Sequence, residues 1–83
     1  MLKDTFTDTL DTRGHLCPMP VLKARKKLES MQAGDILQVA ATDPATVRDI
    51  PSFCGLAHHT LVYAYEEGQT FYFLIKKGQD ASD

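Results

Sequence analysis

The residue with the clearest chemical potential is Cys17, in the stretch G-H-L-C-P-M-P-V-L-K-A-R-K-K-L (residues 14–28). A cysteine acts as a nucleophile through its thiolate, and a helix N-terminus or nearby cations favour that anion. If Pro18 is the first helical residue, Cys17 takes the cap position, where the amide that proline lacks has no intrahelical partner anyway. Pro20 then still falls in the first turn. The two prolines stiffen the helix start and fix where the sulfur points. They also remove two amide donors, so thiolate stabilisation is expected to be smaller than at a proline-free start. Arg13 and His15 are the expected supporting residues.

The chemistry class follows from what is missing. Disulfide oxidoreductases use C-x-x-C, in which the second thiol resolves a mixed disulfide. Here the fourth position of C-P-M-P is Pro20. An adduct on Cys17 has no neighbour in the motif to expel it, which suits a protein that holds a cargo until a partner's cysteine attacks. No base or cofactor loop is recognisable, and no cofactor is expected.

The other candidates read differently. Cys54 follows Phe53 on the apolar side of a second helix and reads as a core residue. No Cys17–Cys54 disulfide is expected. His58 and His59 with the two cysteines make four possible metal ligands, but C-x-x-C spacing is absent and adjacent strand side chains point to opposite faces. No metal is expected. Arg48 and Asp49 read as a surface pair or a partner contact, without a catalytic role.

The elements that position these residues are legible in the pattern. Residues 8–12 suit an edge strand. Val21, Ala24, Leu28 and Met31 form one apolar stripe on a helix beginning at Pro18, with Gly34 as its stop. Residues 35–41 read as a mostly buried strand. Thr42 or Asp43 followed by Pro44 marks a second helix start. Val47, Ile50 and Phe53 or Cys54 face the core, a break or kink is expected near Ile50 because of Pro51, and the end is expected at Gly55. Residues 61–65 and 70–76 read as a hairpin turning through residues 66–69. Leu61, Tyr63 and Tyr65 share one face of its first arm, and Phe71, Phe73 and Ile75 share one face of its second. The order β-α-β-α-β-β predicts one sheet with helices packed on it.

Composition sets the remaining bounds. The chain of 83 residues is 43% hydrophobic and 24% charged, as in a small folded domain. A net charge of −2 gives no bulk attraction to nucleic acid or anionic membrane, and no apolar run is long enough to span one. The charge is uneven: five of nine basic residues (Arg13, Lys23, Arg25, Lys26, Lys27) lie between Thr12 and Leu28 with no acid among them. Lys23, Arg25, Lys26 and Lys27 are the candidate docking residues for an acidic partner. Without an apolar leader near the N-terminus, the expected location is cytoplasmic, where two cysteines remain free thiols.

The chain resembles the TusA family of small sulfur carriers, also called SirA-like, in L-D-T-R-G-H-L-C-P-M-P-V-L-K-A-R-K-K-L. It resembles TusA proper in D-P-A-T-V-R-D-I-P-S-F-C. The resemblance spans residues 9–78. It implies a single α+β domain (residues 1–83, core about 8–77, frayed tail 78–83) folded as a two-layer α/β sandwich. In that fold a four-stranded mixed sheet carries two helices on one face. It implies that Cys17 accepts sulfane sulfur as a persulfide from a cysteine desulfurase or a rhodanese-type donor and passes it to a TusBCD-like or DsrE-like acceptor. The destinations implied are 2-thiolation of the transfer RNA wobble uridine or cytoplasmic sulfur oxidation. The expected protein is a monomeric carrier with sulfurtransferase-type chemistry, without stable nucleic-acid binding. The competing classes are a thiol-dependent redox enzyme and an RNA- or protein-binding regulatory module using the basic helix.

Overall fold

The computed structural model describes residues 6–78. It contains β1 (Asp8–Thr12), α1 (Met19–Glu29), β2 (Ile36–Ala41), α2 (Thr46–Leu56), β3 (Thr60–Glu67) and β4 (Thr70–Lys76). The strands form one sheet in the order β1-β2-β4-β3, with β1 parallel to β2 and the other neighbours antiparallel. This is the expected mixed sheet, with β1 and β3 at its edges. The tail expected at 78–83 lies, beyond Gly78, outside the described residues.

Alternation along the central strands decides which face the helices cover. Leu37, Val39 and Ala41 of β2 and Phe73 and Ile75 of β4 are buried against Ala24 and Leu28 of α1 and Ile50 and Cys54 of α2. Removing this apolar surface from water is the main stabilising term for so small a domain. Thr12, fully buried at the end of β1, donates its hydroxyl to the Ala40 carbonyl at 2.6 Å, so its burial leaves no unmet polar group.

Several local expectations are corrected. The helix α1 stops at Glu29 with Ser30 as its cap, and Gly34 (φ +93°) belongs instead to the turn that leads into β2. The helix α2 does not break at Pro51; it runs through to Leu56. Pro51 withdraws the amide that would have met the Val47 carbonyl, and both residues are exposed, so water can satisfy that oxygen. Val47, expected in the core, is 54% exposed, and Thr46 is buried instead. The helix passes Gly55 and closes after Ala57, where His58 adopts a left-handed φ of +63° and the His59 amide bonds back to the Cys54 carbonyl.

The hairpin is longer than expected, with a tight turn at Gly68 and Gln69 and Gly68 at φ +64°. A register shift between Leu61 and Tyr63 splits the predicted face of β3. Leu61 lies opposite Ile75 and packs on the core, whereas Tyr65 stacks on Tyr72 at 4.9 Å on the face away from the helices.

Candidate functional site

Cys17 lies in the loop between β1 and α1, one residue earlier than expected relative to the helix. Pro18 is the cap, its carbonyl accepting the first helical bond from Leu22 at 3.1 Å, and Met19 is the first helical residue. The Cys17–Pro18 peptide is cis, within a turn closed by the Met19 amide on the Leu16 carbonyl at 2.9 Å. Upstream, a turn from Thr12 to His15 has Gly14 at φ +84°, a conformation that favours glycine there. Pro20 is fully buried, so the position of a resolving thiol in C-x-x-C enzymes holds a core residue here.

The loop is tethered to the start of α2. The Cys17 amide donates to Asp43 Oδ2 at 2.7 Å, while Asp43 Oδ1 accepts the Ala45 amide at 3.1 Å. One carboxylate thus joins the helix start to the cysteine loop. A second tie runs from the Gly14 amide to the Thr42 hydroxyl at 2.9 Å. The sulfur itself is exposed, and its thiol donates to Asp49 Oδ2 at 3.2 Å. Asp49 is half-buried on the first turns of α2, and Arg48 approaches its other oxygen at 3.9 Å.

This arrangement reverses the expected electrostatics. The hydrogen bond to Asp49, then desolvation, then the negative charges of Asp49 and Asp43 raise the Cys17 pKa; Arg48 opposes them only weakly. Arg13, expected to favour the thiolate, instead grips Asp11 in a two-pronged pair, with Nε–Oδ1 and Nη2–Oδ2 both at 2.9 Å. That pairing holds the Asp11 carboxyl down at about 2. His15 contributes its amide to the Thr12 turn. Cys54 is 2% exposed in the core, and burial pushes its thiol up to about 11.

Cys17 stands at one end of a groove of about 670 Å³ between α1 and α2, floored by Val21 and Phe53 and flanked by Arg25 and Leu56. Leu56 in its lining is 84% exposed, and Leu16 (72%), Met19 and Leu22, close to Cys17 in the chain, are exposed large apolar side chains as well. Of the basic residues on α1, Lys27 is bound to Asp8 at 2.7 Å and Arg25 leans on Glu29 at 3.6 Å. Lys23 and Lys26 have no ion pair among the described residues. His58 and His59 lie in the α2–β3 connection; His59 packs on Phe53 and accepts the Gly78 amide on Nδ1 at 3.0 Å. Among the described residues no cluster of three or more metal-ligating side chains exists.

Residue-type reasoning missed Asp43 and Asp49 as neighbours of the sulfur. Both sit in D-P-A-T-V-R-D, a segment whose pattern reads as a helix start and a surface pair or partner contact. Asp43 does not take the expected cap position, which falls to Ala45; its Oδ1 closes a turn on the Ala45 amide and leaves Oδ2 for the Cys17 amide.

An exposed cysteine before a proline-led helix, packed beside a second helix on a four-stranded sheet, defines a small thiol-bearing α+β domain. Residues 8–77 match the family described as Sulfurtransferase TusA, and the chain belongs to that family. Its fold is similar to that of a SirA-like protein from Desulfitobacterium hafniense, with a TM-score of 0.75 and 23% identity, over 88% of this chain and 100% of that one. Family membership gives the protein a sulfur-carrier or sulfurtransferase role in which sulfur passes to partner proteins.

Proposed function

We propose that the protein carries sulfane sulfur as a persulfide on Cys17, loaded by a cysteine desulfurase or rhodanese-type donor. The sulfur then passes to a TusBCD-like or DsrE-like acceptor in the cytoplasm. The destination is wobble-uridine 2-thiolation of transfer RNA or cytoplasmic sulfur oxidation. The observation that carries this reading is an exposed thiol, with no second thiol in its motif, at the end of an apolar groove. In loading, the Cys17 thiolate attacks the terminal sulfur of a donor cysteine persulfide. A new S–S bond forms on Cys17, the donor's S–S bond breaks, and its electron pair returns to the donor sulfur, which is then protonated. The exchange needs no external oxidant or reductant.

Docking falls on the apolar rim of Leu16, Met19, Leu22 and Leu56, with Lys23, Arg25 and Lys26 at its charged edge. Such a surface suits brief contacts with more than one partner, apolar area supplying affinity and rim charge supplying association rate.

The test is incubation with a cysteine desulfurase carrying pyridoxal phosphate, free cysteine and no reductant, followed by intact mass. The parent and Cys54→Ala gain one sulfur atom, lost on adding dithiothreitol, and Cys17→Ser gains none. Loading of Cys17→Ser, or an adduct on Cys54 in the parent, overturns the assignment.

A further inference from the structure

The geometry points to Asp49 as a positioning residue that holds the unloaded Cys17 sulfur as a thiol, in one orientation, at the end of the α1–α2 groove. The inference rests on the carrier reading for its purpose, and on the site's geometry and charges for its content. The thiol donates to Asp49 Oδ2 at 3.2 Å, and a carboxylate can accept that hydrogen bond only while the proton stays on sulfur.

The surrounding charges do not cancel this. Asp43, between β2 and α2, brings a second carboxylate to the Cys17 amide at 2.7 Å. On α2, Arg48 is 84% exposed and stands 3.9 Å from the far oxygen of Asp49. On α1, Arg25 lines the groove but leans toward Glu29. In the cysteine's own loop, Arg13 is committed to Asp11. Two acids therefore reach the cysteine's immediate surroundings, Arg13 and Arg25 are engaged with other acids, and Arg48 offsets Asp49 only in part, so the anion is disfavoured.

The functional meaning is restraint. A carrier with an exposed thiol meets cellular oxidants and stray electrophiles, which attack the thiolate. Keeping the proton on Cys17 lowers that background reaction. A donor that loads the site must first neutralise or displace Asp49. The thiol proton then leaves to water, the thiolate attacks the donor's terminal sulfur, and the departing donor thiolate takes a proton from water. Asp49 is not consumed and forms no bond to sulfur.

The test compares the parent with Asp49→Asn and Asp49→Glu by iodoacetamide alkylation of Cys17 across pH. Circular dichroism verifies the fold, and Cys17→Ser measures any background from Cys54. Removing the charge increases the thiolate fraction, and weaker intrinsic nucleophilicity takes back part of the gain. Asp49→Asn is expected to react about threefold faster or more at neutral pH, with its pH midpoint moved down. Asp49→Glu, which keeps the carboxylate, stays near the parent. Glutathione persulfide, a small donor, also loads Asp49→Asn faster than the parent. An unchanged or slower alkylation profile in a folded Asp49→Asn, or Asp49→Glu behaving like it, overturns the inference. Should alkylation accelerate while neither protein gains sulfur from glutathione persulfide or a desulfurase, the restraint stands and the carrier reading falls. If both load but alkylation is unmoved, the reverse holds.

Discussion

The loop before α1 and the far end of α2 each hold a cysteine, and both thiols are shifted toward the protonated form by a different balance of causes. At Cys17 the causes are the hydrogen bond from the sulfur to Asp49, then desolvation, then the charges of Asp49 and of Asp43, which binds the Cys17 amide. At Cys54 the cause is burial among Ile50, Phe73 and their neighbours. The first restraint can be lifted by a docking surface that neutralises an acid. The second yields only to unfolding. A shift in the same direction thus conceals one cysteine that is available on demand and one that is a small apolar core residue.

The largest expected effect is on reactivity. Under native conditions a saturating alkylating reagent places one label, on Cys17, and the second appears only with denaturant. Cys54 reacts through opening of the core, so its native rate is at least about a thousandfold below its rate in the unfolded chain. Peptide mapping of the singly labelled protein checks this. A first label on Cys54 would mean that the α2 end opens readily, and the contrast between the two regions would collapse.

Stability sharpens the same contrast on a smaller scale. Cys54→Ala removes a buried sulfur and leaves a void that the surrounding side chains fill incompletely, costing about 1 kcal/mol in urea unfolding. Cys17→Ser keeps a donor toward Asp49 at an exposed position and leaves the midpoint unchanged. A Cys17→Ser midpoint that falls as far as that of Cys54→Ala would make the cysteine loop a structural element.

What was legible divides along sequence distance. C-P-M-P followed by the stripe of Val21, Ala24 and Leu28 encodes the helix start locally, and the alternating strands of the hairpin encode their own pairing. The acids at Cys17 lie 26 and 32 residues further along and reach it only because the two helices pack side by side. Local spacing instead suggested Arg13 and His15, which are near in sequence while Arg13 is held by Asp11. The register shift in β3 was hidden because Leu61, Tyr63 and Tyr65 are all apolar enough for either face. Pro51 reads as a helix breaker in the sequence because the exposure that lets water take the released Val47 carbonyl is set by tertiary packing.

The smallest effect expected concerns pH, again at the Cys54 end. The imidazole of His59, packed on Phe53, has its pKa held below the ordinary 6.5 by burial first, then by the charges of Lys77 and His58. Its Nδ1 accepts the Gly78 amide, and a proton on that nitrogen would break the bond. As pH falls through 6.5 the unfolded chain therefore takes up a proton that the folded chain refuses, so stability falls toward acid and is unaffected above that range. His59 is only partly buried, so solvent screening keeps the change small, a lowering of the thermal midpoint by no more than about 4 °C between pH 7.5 and 5.5. His59→Gln retains an acceptor without a titrating group, and its midpoint falls less over the same interval. The comparison must be of slopes, because exposed acids such as Asp11 contribute their own dependence at lower pH in both proteins. Equal slopes would show that His59 is as free to take a proton in the fold as out of it, and that the end of α2 is less tightly closed than its contacts with Phe53 and Gly78 indicate.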